Sequence, residues 1–147
     1  MKTVVLALVI IGLVAVGLPT AHALHYKVYS TKVTYWEAWQ QCIANGGNLA
    51  SIETATQNNA VHKAIKKTGR DGQWWLSGTD LGLEGSWIWL SRNEPVGTPY
   101  GYLNYAAGEP NNMSNAGEHY LVMRGDGAWN DIPCDSPAFY VCEFYSL

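Results

Sequence analysis

Apolar and polar positions alternate from Leu24 to Val33, with Tyr26 and Val28 set against Lys27 and Tyr29. A period of two predicts a first strand. At Thr34 the period changes. Thr34-Tyr35-Trp36-Glu37 fits a capping box, in which the Thr and Glu side chains reciprocally satisfy free N–H groups of a helix start. Tyr35, Trp39 and Cys42 then recur at helical spacing, so one helix face is expected to be buried. Gly46-Gly47 stops that helix, and Asn48 to Ile52 reads as a short strand. Thr54 to Gln57 offers a second capping box, and Val61 and Ile65 give the helix behind it an inward stripe. Lys63, Lys66 and Lys67 gather toward its C-terminus, where the helix dipole favours cations; this reads as a solvated helix end rather than an anion site. Gly69 ends the helix.

After Asp71-Gly72 the pattern becomes β. Trp74 to Thr79 and Ser86 to Leu90 are aromatic-rich strands bounded by glycine turns. From Ser91 to His119 there is little periodicity and much Gly, Pro and Asn. A segment of that length without structure, inside one domain, is usually functional. Tyr120 to Met123, Ala128 to Ile132 and Phe139 to Phe144 are the closing strands. Arg124-Gly125-Asp126, followed by Gly127, sits where a hairpin turn is needed.

The first 23 residues differ in kind. Lys2 precedes a nearly unbroken apolar run from Val4 to Leu18, and Ala21-His22-Ala23 is an A-x-A exit. This predicts a signal peptide over 1–23 and a secreted, extracellular domain over 24–147. No later segment approaches the roughly 20 apolar residues of a membrane span, so no membrane insertion is expected. The formal charge of −3 argues against nucleic acid as a partner. Seven Trp and nine Tyr against 14% charged residues suggest a loop-rich β fold around an aromatic core. Secretion permits disulfides, and three cysteines leave an odd one. Pairing Cys42 with Cys142 would close a loop of about a hundred residues, which the chain-entropy model credits with roughly 4–5 kcal/mol.

The long loop and the strand after it hold the oxygen-bearing side chains. Glu109 and Asn111 flank Pro110, Glu118 follows, and Trp129-Asn130-Asp131 sets an amide beside a carboxylate. Carboxylate and amide oxygens with no thiol or imidazole suit Ca²⁺, which takes about 6–8 oxygen ligands at roughly 2.3–2.6 Å. Five side chains do not saturate it, so backbone and outside oxygens must complete the shell.

These residues resemble the C-type lectin carbohydrate-recognition domain. The resemblance rests on Gly108-Glu109-Pro110-Asn111-Asn112, Gly117-Glu118, Trp129-Asn130-Asp131, Cys134, and Val141-Cys142-Glu143. In the opening half it rests on Cys42, Gly47 to Ile52, and Trp75 to Gly78. It implies an α+β fold with two helices, two small antiparallel sheets and a long calcium-binding loop, closed by a Cys42–Cys142 disulfide. It implies a cis Glu109–Pro110 bond and a Ca²⁺ site of Glu109, Asn111, Glu118, Asn130 and Asp131. The same five residues would bind carbohydrate, the acids accepting from sugar hydroxyls and the amides donating to them. Glu-Pro-Asn implies preference for mannose, fucose or N-acetylglucosamine, and partners that are mannose-type glycans on microbial or cell surfaces, in innate immunity or adhesion.

The chain departs from the family in three places. Tyr120 stands where an inner disulfide would begin, so Cys134 is expected either to be a packed thiol or to link two chains as a dimer. Asp80 and Glu84 match an auxiliary calcium pair, yet Asn112 and His119 stand where acids are common, so that site is expected to be weak. Asn112-Met113-Ser114 is an N-glycosylation sequon beside the proposed ligand Asn111. Two rival functions are a lectin-like module that binds protein without sugar, and an enzyme. Glu109 and Glu118 could suggest glycoside hydrolysis, but no GxSxG or HExxH is present and metal keeps such acids ionised, so no catalysis is expected.

Overall fold

β1 (Ala23–Val33) lies antiparallel to β8 (Ala138–Ser146), running from Ala23 opposite Ser146 to Val33 opposite Ala138 with one register shift after Tyr29. The computed structural model describes residues 23–146. The expected signal peptide therefore lies outside the described residues except for Ala23, which opens β1.

α1 (Tyr35–Ala44) starts on the expected capping box: Thr34 N–H donates to Glu37 Oε2 at 2.8 Å, and Glu37 N–H donates to Thr34 Oγ1 at 3.4 Å. Its buried stripe is Tyr35, Ala38 and Cys42, whereas Trp39, expected to face inward, is only half-buried. Spacings of three and four from Tyr35 through Ala38 to Cys42 centre the contact one position short of Trp39. α2 (Ala55–Lys67) buries Val61 and Ile65 as expected. Thr54 caps it by accepting from Gln57 N–H. The return bond of the second capping box differs, because Gln57 Oε1 accepts from Glu53 N–H, one residue before the cap.

β2 (Asn48–Leu49) pairs with β8. β3 (Trp74–Thr79) is wholly buried and pairs with β4 (Ile88–Trp89) and β6 (Tyr120–Met123). β4 continues to β5 (Glu94–Pro95), and β6 to β7 (Trp129–Ile132). Two antiparallel groups result. They join where Trp74 and Trp75 run parallel to Phe139 and Tyr140, giving one mixed eight-stranded sheet. β2 and β4 are shorter than the strands their sequences predict, and Ile52 is buried outside any strand.

Two aromatic-rich clusters form the core. One gathers Trp74, Leu76, Trp89, Leu121 and Trp129; the other gathers Tyr35, Trp75, Tyr120, Tyr140 and both disulfide cysteines. Cys42 and Cys142 are bonded, with Cα atoms 5.4 Å apart. Cys134 is free and half-buried against the second cluster. On β8, Glu143 is almost fully buried. Its Oε2 accepts from Ser51 N–H at 2.9 Å and Ser51 O–H at 2.8 Å, and pairs with Arg92 at 3.3 Å. Gly47 is needed here, because a Cβ on it would strike the Glu143 carbonyl oxygen and the Phe144 ring.

The long segment 91–119 is irregular but pinned. Tyr102 and Tyr105 set their rings edge-on to Trp129 at 5.7 and 5.5 Å, and Trp89 does the same at 5.4 Å. Trp129 N–H donates to Asn104 O, and Ala106 N–H donates to Trp129 O, both at 2.8 Å. Trp129 Nε1 donates to Asn58 Oδ1 at 2.8 Å, tying β7 to α2. Trp129 thus anchors the loop from within the core, and the polar residues after it are delivered to the loop's edge. Arg124-Gly125-Asp126 forms the β6–β7 turn, with Arg124 and Asp126 paired to each other at 3.0 Å.

Candidate functional site

Asp131 follows from the Trp129 anchor. Its carboxylate is buried and receives two consecutive backbone donors, Asn111 N–H on Oδ1 at 3.1 Å and Asn112 N–H on Oδ2 at 2.8 Å. Asn112 is left-handed at φ 48°, a conformation that Asn tolerates, so the chain turns directly after the second of these donors. The Glu109–Pro110 bond just before them is cis.

Met113 N–H is shared. It donates to Asn111 Oδ1 at 3.0 Å and to Glu118 Oε2 at 2.9 Å. One backbone group therefore draws an amide and a carboxylate from positions seven apart onto the same spot. With its oxygen engaged, Asn111 has its amide N–H₂ left to donate. Glu118 N–H in turn donates to Asn112 Oδ1 at 2.7 Å. Asn130 is half-buried beside Asp131 on β7.

Glu109 completes the group. Its Oε2 is buried with no hydrogen-bond partner. Burial pushes its carboxyl above the ordinary value; repulsion from Asp131 and Glu118 adds to this, and Arg124 opposes it. An orphaned carboxylate oxygen near two further acids, with the Asn111 amide drawn beside one of them, is a donor set that Ca²⁺ fits. The structure thus draws Asn111 and Glu118 together at Met113 N–H, ties the loop to Asp131 on β7, and sets Glu109 near Asp131 and Glu118; Asn130 is the neighbour of Asp131 along β7.

A tighter group lies alongside. Ligand atoms of Asp80, Glu84 and His119 all fall within 4.8 Å of one another. The carboxylates of Glu109, Glu118 and Asp131 are spread more widely, with Glu118 and Asp131 tied to different backbone amides. Asn112, expected as a weak auxiliary ligand, bridges the two groups: its Nδ2 donates to Glu84 Oε2 at 3.0 Å while its Oδ1 is used by Glu118 N–H. Both amide atoms of the sequon asparagine are thus engaged. The sequence places Asn112 with Glu84 as a weak fellow ligand; that it donates its amide N–H to Glu84 is seen only in the fold.

Residues 31–144 match the family model of the lectin C-type domain. The chain belongs to the C-type lectin domain family. Among C-type lectins it is 32% identical to pulmonary surfactant-associated protein D of Sus scrofa over 86% of this chain and 33% of that protein. It is 33% identical to collectin-43 of Bos taurus over 88% of this chain and 40% of that protein. The chain thus spans between a third and two fifths of these relatives. The carbohydrate-recognition domain of cow CD23, solved in the presence of a GlcNAc2Man3 oligosaccharide, superposes with a TM-score of 0.73 at 27% identity, covering 88% of this chain and 97% of that one. The α+β lectin fold read from the motifs is therefore the fold observed. Among the described residues of this lectin domain, no helix is long and apolar enough to cross a membrane.

Proposed function

We propose that this domain is a secreted, calcium-dependent lectin that binds mannose-type glycans on microbial or cell surfaces. Glu109, Asn111, Glu118, Asn130 and Asp131 would hold the ion. The observation that carries the reading is the buried, partnerless Glu109 Oε2, gathered with Asp131 and Glu118 on a loop anchored by Trp129. Bound Ca²⁺ supplies a Lewis-acid centre on which two neighbouring sugar hydroxyls can be held.

The chain's own residues do the discriminating. Glu109 and Glu118 accept from hydroxyl protons, and Asn111 and Asn130 donate N–H to the hydroxyl oxygens. Hydrogen bonds to ionised groups contribute about 1.5–3 kcal/mol each, so hydroxyl geometry is read strictly. Glu-Pro-Asn places the acid before the amide, which supports the mannose-type order over the galactose-type one. The cow CD23 domain, solved with an oligosaccharide of mannose and N-acetylglucosamine, supports the same choice of first ligand. The proposed leader over 1–23 supports an extracellular setting.

The test is retention on mannan–agarose in calcium, followed by elution with EDTA. Failure to bind, or retention that EDTA leaves untouched, overturns the proposal.

A further inference from the structure

The cluster of Asp80, Glu84 and His119 occupies the place of an auxiliary calcium pair, but its donor atoms include an imidazole, which suits softer metals than calcium. His119 Nδ1 lies 2.9 Å from Asp80 Oδ1 and 3.4 Å from Glu84 Oε2. Two neighbouring polar groups are already committed. Asp80 Oδ2 already accepts from Gly85 N–H at 2.7 Å, and Asn112 presents nitrogen, not oxygen, to Glu84. Ca²⁺ needs about 6–8 oxygens, whereas Zn²⁺ is satisfied by one imidazole and two carboxylates at roughly 2.0–2.2 Å with water in a fourth position.

The imidazole is held in place. A Cβ on Gly117, which has φ +78°, would come within 2.7 Å of His119 Nε2, so this glycine makes room for the ring beside the acids. Exposure is graded: the Asp80 side chain is 1% exposed, His119 24% and Glu84 60%. A buried floor with an open side suits a site that a hydrated cation can enter.

We propose that Asp80, Glu84 and His119 form a binding site for a borderline divalent cation of the zinc class, separate from the calcium site and independent of the glycan reading. The site abuts the calcium loop, because Asn112 links Glu84 to Glu118.

The test is calorimetric titration of the purified full chain with zinc chloride in millimolar calcium. One zinc per chain is expected, with affinity falling at least tenfold in His119→Gln. His119→Asp is expected to lose zinc and to take up a further calcium ion. No zinc uptake by the native chain, or unchanged zinc affinity in a folded His119→Gln variant, overturns the proposal and shows an ion pair only. Should the variants fail to fold, the native chain still decides. Zinc must shift the His119 ring resonances in NMR spectra, and shifts confined to His25 or His62 overturn the site.

Discussion

The backbone N–H of Asn111 donates to Asp131 Oδ1 at 3.1 Å across 20 positions of the chain. With the Asn112 N–H on the other oxygen at 2.8 Å, one carboxylate closes the loop onto β7. Asp131→Asn keeps the shape but removes the charge and one strong acceptor. Hydrogen bonds to ionised acceptors contribute about 1.5–3 kcal/mol, so calcium affinity is expected to fall about tenfold or more. Calcium calorimetry measures this, and an unaltered constant would remove Asp131 from the site.

Glu109 and Asn111 offer an acceptor and a donor on either side of Pro110. Exchanging them, as Glu109→Gln with Asn111→Asp, reverses that order while keeping both side-chain lengths. Elution from mannan–agarose is then expected to need less competing galactose and more mannose than for the native chain. An unmoved ratio would place specificity in other contacts.

Glu143 is buried among Ser51 and Arg92, and its burial outweighs their help, so its carboxyl is held above the ordinary glutamate range. The folded chain therefore binds this proton more tightly than the unfolded chain does. The associated stability is present at pH values below the ordinary glutamate value and is lost as pH rises through the raised one. Melting temperatures recorded in EDTA from acid to neutral pH are expected to show this loss for the native chain and a flatter profile for Glu143→Gln. Parallel profiles would contradict the assignment.

Cys134 is half-buried against Tyr120 and the second core cluster, and Tyr35 N–H donates to its carbonyl at 2.9 Å. Packing of this kind slows attack by thiol reagents. The thiol is expected to react slowly until the chain is unfolded, and freshly purified protein to run as a monomer on non-reducing electrophoresis. A ladder collapsing to monomer on reduction would show the inter-chain bond instead.

Much of this molecule is legible from residue order because its signals are local. The Thr34 capping box needs four residues, and Glu109-Pro110-Asn111 with Trp129-Asn130-Asp131 needs only composition at fixed spacing. What escaped depends on meetings in space. The half-burial of Trp39 follows from where the sheet touches α1, not from its hydrophobicity. The parallel contact of Trp74 and Trp75 with Phe139 and Tyr140 joins segments with nothing between them to predict it. Asn112 reads as a glycan acceptor or a poor ligand, yet a left-handed backbone turns it into a bridge between two clusters.

The Cys42–Cys142 bond also decides how the domain carries mechanical tension. Traction on the two ends first peels β1 from β8 rung by rung, starting at Ala23 and Ser146. Past those rungs the pull crosses directly from one sulfur to the other. The 109–131 region lies inside that covalent circuit, so traction applied between the two ends of the chain passes it by.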